Sequence, residues 1–172
     1  MEIKIKSKVK ASSSTISRDK LVAQFIQKSE LVETETLKVD LKLFQEAANQ
    51  DNVNFEFMKL DSFRLKKECL QINNAKNALV EAEYGIAENG CVVFDSHDQE
   101  LFLTICLAET LQVVLPASKI LQTVQDLELI KNADYNELQE TNKFVNASSR
   151  KADIDRFGPK NKRTLVYVIE DL

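Results

Sequence analysis

The run Ala78-Leu79-Val80-Glu81-Ala82-Glu83-Tyr84-Gly85-Ile86-Ala87-Glu88-Asn89-Gly90-Cys91-Val92-Val93-Phe94 holds two of the three glycines in this chain of 172 residues. Residues 78–82 form a short apolar run of the kind that makes a strand, and Cys91-Val92-Val93-Phe94 forms another. Asn89-Gly90 between them is a strong turn signal, because glycine reaches positive φ without steric cost. The spacing predicts a tight turn that launches a buried strand, with the carboxylate of Glu88 and the amide of Asn89 at the turn. Two readings follow: a plain αβ turn with polar residues in water, or a polar rim for a ligand.

Elements on either side alternate in period. Ser17 caps a predicted helix through Lys28 with Leu21, Val22, Phe25 and Ile26 on one face, and Asp40 caps a second with Leu41, Phe44, Ala47 and Ala48 inward. Residues 53–58 alternate as a strand. Ser62 starts a predicted helix through Ile72. Residues 101–109 are apolar on most sides, so helix and strand are equally compatible there. Leu111-Gln112-Val113-Val114-Leu115 is a strand stopped by Pro116. Ser118 caps a predicted helix to about Asn132, with Ile120, Leu121, Val124, Leu127 and Ile130 toward the core. Residues 133–143 read as a polar loop and Phe144-Val145 as a short strand. Ser148 or Ser149 caps a helical turn through Phe157, and residues 164–169 form a last strand. Strands alternating with helices predict one α/β domain over residues 1–172, built on an open, mostly parallel sheet with helices on both faces. Ligands of such sheets bind beyond the carboxyl ends of the strands.

Composition narrows the chemistry. Hydrophobic residues at 44% and charged residues at 29% are ordinary for a globular protein. No apolar run reaches the roughly 18 residues of a membrane span, and no secretory leader pattern precedes the first helix, so a cytoplasmic location is expected. The net charge of −4 argues against nucleic-acid binding. Residues 3–10 alternate Ile3, Ile5, Ser7 and Val9 with four lysines. They fit an edge strand with a wet lysine face or, given the Ser12-Ser13-Ser14-Thr15 linker, a flexible basic arm (residues 1–16); contact of that arm with a membrane or RNA is the sharper alternative. Neither GxGxxG nor GxxxxGK[ST] occurs. One histidine, His97, in a polar loop, removes multi-histidine metal sites. Cys69, Cys91 and Cys106 are widely spaced without a CxxC, so no metal or cofactor of the chain's own is expected. Cys91 and Cys106 read as small core residues, and Cys69 has lysine neighbours that favour a thiolate.

A second segment concentrates polar groups: Asn146-Ala147-Ser148-Ser149-Arg150-Lys151-Ala152-Asp153-Ile154-Asp155. Serines ahead of a helix offer hydroxyls and free N–H groups, and Arg150 offers a bidentate guanidinium. Residues 150–163 carry six basic side chains against two acidic ones. Either a solvated cap and basic loop or a small anion site fits that pattern.

Taken together, the two segments resemble the LUD-domain family, whose best-known member is lactate utilization protein C. Its (Ala/Gly)-acidic-aromatic-small-Ile-Ala-(Glu/Asp)-Thr-Gly run is matched by residues 82–90, with Asn89 in place of Thr. Its Val-Pro-x-Ser-(Arg/Lys)-Ile step is matched by Leu115-Pro116-Ala117-Ser118-Lys119-Ile120, and its Ser-Arg-Thr-Ala-Asp-Ile-Glu run by Ser149-Arg150-Lys151-Ala152-Asp153-Ile154-Asp155. The match runs from about residue 79 to the end. A Pro-Pro-x-His-Ile segment of the family is replaced near residues 108–112, and the stretch after the Ser-Arg run is shortened. The resemblance implies a sugar-phosphate-isomerase/CoA-transferase-like fold and a role as accessory subunit in L-lactate oxidation to pyruvate, beside iron–sulfur protein subunits that carry the redox chemistry. On that reading Glu88, Asn89, Gly90, Ser148, Ser149 and Arg150 bind a small organic anion. Two alternatives stand beside it. One is a stand-alone enzyme on a phosphorylated or CoA-linked metabolite, with Glu88 as the catalytic carboxylate. The other is a non-catalytic regulatory or scaffold module.

Overall fold

Three side-chain caps set the helices. A computed structural model of the chain describes residues 16–69, 71–72, 74–94, 97–134, 145–146 and 162–172. Ser17 accepts the Lys20 N–H at the start of α1 (Arg18–Glu30). Asp40 accepts the Leu43 N–H at the start of α2 (Leu41–Ala48). Asp98 accepts the Leu101 N–H at the start of α3 (Gln99–Leu107), which settles the ambiguous apolar run in favour of a helix. Each oxygen takes an amide proton that the first helical turn leaves without a partner.

Between the helices run β1 (Glu35–Val39), β2 (Phe57–Lys59), β3 (Asn77–Glu81), β4 (Tyr84–Ile86), β5 (Cys91–Phe94), β6 (Thr110–Pro116), β7 (Ile120–Leu121), β8 (Val145–Asn146) and β9 (Arg163–Ile169), with α4 (Val124–Asp134) after β7. Five strands in the order β1-β9-β6-β3-β2 form a sheet in which every pairing is parallel. Alternate residues divide its faces. Ala78, Val80, Leu111, Val113, Leu115, Val166 and Val168 meet α1 and α3 through Leu21, Val22, Phe25, Leu101 and Ile105. Leu79, Val114 and Ile169 meet Phe44 and Ala48 of α2 on the other face. The expected sheet with helices on both faces is the observed one. Phe25, fully buried, gains about 1.5–3 kcal/mol from leaving water.

A second sheet, β7-β4-β5-β8, mixes directions: β4 pairs antiparallel with β5 and parallel with β7, and β5 pairs antiparallel with β8. Residues 84–86, read from sequence as part of a turn, are therefore a strand, and only residues 87–90 turn the chain.

Tertiary partners override three other sequence expectations. No helix forms among the described residues of 62–72. Asp61 and Ser62 give their N–H groups to Glu81, Lys66 gives its own to Asn49, and Gln71 sits at φ +51°. The Gln71 amide both donates to Met58 O and accepts from Met58 N, so this loop stands in for a neighbour strand along β2. The strand expected at 53–58 is correspondingly shorter and later, at Phe57–Lys59. The helix expected from Ser118 begins instead at Val124, because Ile120 and Leu121 pair with β4, and only a 3₁₀ turn, Ala117–Lys119, precedes them. Its cap is Thr123, whose hydroxyl accepts from Asp126 N while the Asp126 carboxylate accepts from Thr123 N. Ala47 is exposed, while Phe44 and Ala48 are buried and Leu41 packs half-buried beside them. No helix among the described residues is long and apolar enough to cross a membrane. The basic N-terminal stretch (residues 1–15), residues 135–143 of the expected loop and the helical turn expected at 148–157 lie outside the described residues, and residues 133–134 close α4 instead.

Candidate ligand site

The hairpin turn at residues 87–90 is built from three local devices. Gly90 has φ +72°, and its N–H donates to Ile86 O at 2.8 Å. The Asn89 side-chain oxygen accepts the Cys91 N–H at 3.1 Å, an Asx turn that starts β5. Glu88 is exposed, and its carboxylate accepts the Val124 N–H at 3.3 Å, at the start of α4. A carboxylate there takes one of the amide protons that the helix start leaves over and meets the positive end of its dipole.

Gly90 also fixes where the turn sits. A Cβ at this position would lie 2.2 Å from Ser29 N and 2.4 Å from the Lys28 carbonyl carbon, so the turn rests against the last turn of α1. Ser29 in turn shares a hydrogen bond with Thr36, at the start of β1, at 2.7 Å. At the opposite end of α1, Arg18 Nη1 donates to Ala117 O at 3.1 Å and Ile120 O at 2.9 Å. The segment 82–90 thus leaves the carboxyl edge of β3 and ends beside the far end of α1.

Ser148, Ser149 and Arg150 lie outside the described residues. The chain approaches them through β8, where Asn146 pairs opposite Val93 and Val145 opposite Phe94. That strand runs antiparallel to β5, in the direction of the Asn89-Gly90 turn.

Sequence reasoning missed a second polar cluster at the carboxyl edge of the parallel sheet. Glu81, the last residue of β3, has a side chain only 1% exposed. One carboxylate oxygen accepts from Asp61 N and Ser62 N, both at 2.8 Å. The other accepts from the Ser62 hydroxyl and from Lys119 Nζ, the latter at 3.3 Å. Burial alone would raise the Glu81 pKa. The Ser62 hydroxyl, the two N–H groups and the Lys119 ammonium together outweigh it and hold the carboxyl below its ordinary value. Nearby, Lys59 at the end of β2 pairs with Asp98, whose pKa is lowered by the Leu101 N–H and by Lys59. The available signal was the position of Glu81: a charge closing an otherwise apolar strand must find partners.

Cys91 is buried, and Cys69 and Cys106 are half-buried. His97 is exposed.

A mostly parallel sheet covered by helices on both faces defines an α/β fold. More specifically, the chain belongs to the LUD-domain family, whose model matches residues 5–169. Its fold is similar to the crystal structure of a DUF162 family protein from Deinococcus radiodurans, with a TM-score of 0.62 at 16% sequence identity, covering 90% of this chain and 99% of that one. Among curated proteins none matches this chain.

Proposed function

We propose that this LUD-domain protein binds a small organic anion and serves as an accessory subunit in the oxidation of L-lactate to pyruvate, beside iron–sulfur partner subunits. The observation that carries the site is the register of β8 on β5. Ser149 lies three positions after Asn146, and Gly90 three positions before Val93. On this proposal the chain after β8, which runs toward the end of β5 nearest the 88–90 turn, brings Ser149 and Arg150 to that turn. A guanidinium there would clamp the carboxylate of the anion, Ser148 and Ser149 would donate hydroxyls, and Glu88 and Asn89 would bound the pocket. The lactate assignment rests on the family motifs and on the absence of a cysteine pattern for a cluster in this chain, which leaves electron transfer to partners.

The test has two readouts. Pyruvate and L-lactate should raise the melting temperature of the wild-type chain, and Arg150→Ala should abolish that rise. Affinity purification from cells that oxidise lactate should recover iron–sulfur subunits with it. An unchanged ligand response in Arg150→Ala overturns the site. Turnover of a CoA ester that disappears in Glu88→Gln would replace the accessory role with the stand-alone enzyme.

A further inference from the structure

The two edges of the parallel sheet are finished differently. Along β2 the Gln71 amide bonds both the N–H and the O of Met58, as a neighbour strand would. Among the described residues no strand lies outside β1. Val39 O accepts from Glu170 N. The alternation of a strand then turns the backbone of Glu35, Leu37 and Val39 toward β9 and points the N–H and C=O of Thr36 and Lys38 outward.

The side chains at this edge suit a contact. Thr36 bonds Ser29 of α1, whereas Val39 packs with the α2 cluster. Leu37 therefore lies on the α2 face of the sheet, where it is 56% exposed. Gln45 and Asn49 of α2 bond the loop at residues 64–66, which follows β2. Leu43 and Ala47 turn the opposite way around the helix, toward β1, and both are exposed. The charges are matched within the chain, Glu35 with Arg163 and Lys38 with Glu170. The lysine that would guard a strand edge is thus already neutralised.

The chain's own alternating stretch, residues 3–9, suits this edge poorly. Because α1 starts at the carboxyl edge of the sheet, with Arg18 on Ala117 O and Ile120 O, a strand leading into it would run parallel to β1. From β3 to β6 and from β6 to β9 the chain steps toward β1, and the connecting elements lie on the α1 face. A strand outside β1 followed by α1 would step the other way across that same face. Its crossover would have the opposite hand, which parallel sheets avoid in about 98% of cases. A second copy meets no such constraint.

We infer that two copies of this chain join antiparallel along β1, with Leu37 on the two-fold axis. Thr36 of each copy then exchanges N–H···O bonds with Lys38 of the other, and Leu37 meets its twin, flanked by Leu43 and Ala47. No like charges stand opposite one another in this register. One residue further along, Lys38 would face itself.

Sedimentation equilibrium of the full chain should give twice the 19.6 kDa of one chain. Lys38→Pro removes an N–H that the single chain gives only to water. It should weaken the dimer at least about tenfold, through the backbone hydrogen bond lost in each copy, and leave the circular dichroism spectrum unchanged. With Cys69 and Cys106 replaced by serine, Leu37→Cys should oxidise to a disulfide-linked dimer and Glu35→Cys should not. A full chain that stays monomeric, as when residues 3–9 cover the edge, overturns the inference. So does a dimer as tight in Lys38→Pro, or one that cross-links as readily through Glu35→Cys as through Leu37→Cys.

Discussion

Replacing Gly90 by alanine should be among the most damaging single-methyl additions in this chain. At φ +72° an alanine costs about 1–2 kcal/mol from left-handed sterics alone. The new Cβ would also lie 2.2 Å from Ser29 N, 2.4 Å from the Lys28 carbonyl carbon and 2.6 Å from Ser29 Cα. All three are backbone atoms, so no rotamer change relieves the overlap, and the hairpin must move off α1. Overpacking of this kind adds about 1–3 kcal/mol. The total of about 2–5 kcal/mol is a large share of an ordinary domain stability of about 5–15 kcal/mol. Gly85→Ala is the control. Its Cβ would meet Leu115 Cδ2 at 2.6 Å and Phe25 Cε2 at 3.1 Å, both side-chain atoms, and its φ is not left-handed. Urea unfolding followed by circular dichroism should give a lower midpoint for both variants with unchanged slope, and clearly the lower one for Gly90→Ala. Equal losses, or a loss below about 1 kcal/mol for Gly90→Ala, would refute the reasoning that the turn is locked by backbone contact.

Two predictions concern pH. Because the Glu81 carboxyl is held below its ordinary value in the folded chain, it contributes stability that is present above the unfolded carboxylate pKa and is lost as pH falls through the folded one. Acid titration of Glu81→Gln should show a shallower loss below about pH 4.5 than the wild type does. Lys162 donates to Ile105 O near the end of α3, and burial pushes its pKa down to about 8. The unfolded chain then binds the extra proton between roughly pH 8 and 10.4. This residue makes stability rise with pH across that window, a slope that Lys162→Met should remove in urea midpoints measured across it.

Strands β3 and β6 of the main sheet were legible because they are buried, whereas the edge strand β1 (Glu35–Val39), which has no buried residue, was not read from the sequence. Val113, Val114 and Leu115 make a continuous apolar run, and Pro116 closes it. Helix starts were legible where a cap precedes a periodic stripe, as at Ser17 and Asp40. What failed was local pattern overruled by distant partners. Residues 62–72 have helical spacing, yet their polar groups bond to Glu81, Asn49 and Met58, outside the segment itself. Ile120 and Leu121 look like the face of a helix and are instead recruited by β4. At the site, the Asn89-Gly90 turn was visible from glycine chemistry alone. Its support, the far end of α1, was not, and neither was the Glu81, Ser62 and Lys119 cluster, whose members are far apart in the chain.

The account turns on whether the Ser149-Arg150 segment meets the 88–90 turn around an anion. A crystal structure of the full chain soaked with pyruvate measures this directly. The predicted result is electron density for one carboxylate between the Arg150 guanidinium and the Asn89-Gly90 backbone. Arg150 and Gly90 on opposite sides of the molecule, with no shared cavity, would contradict it.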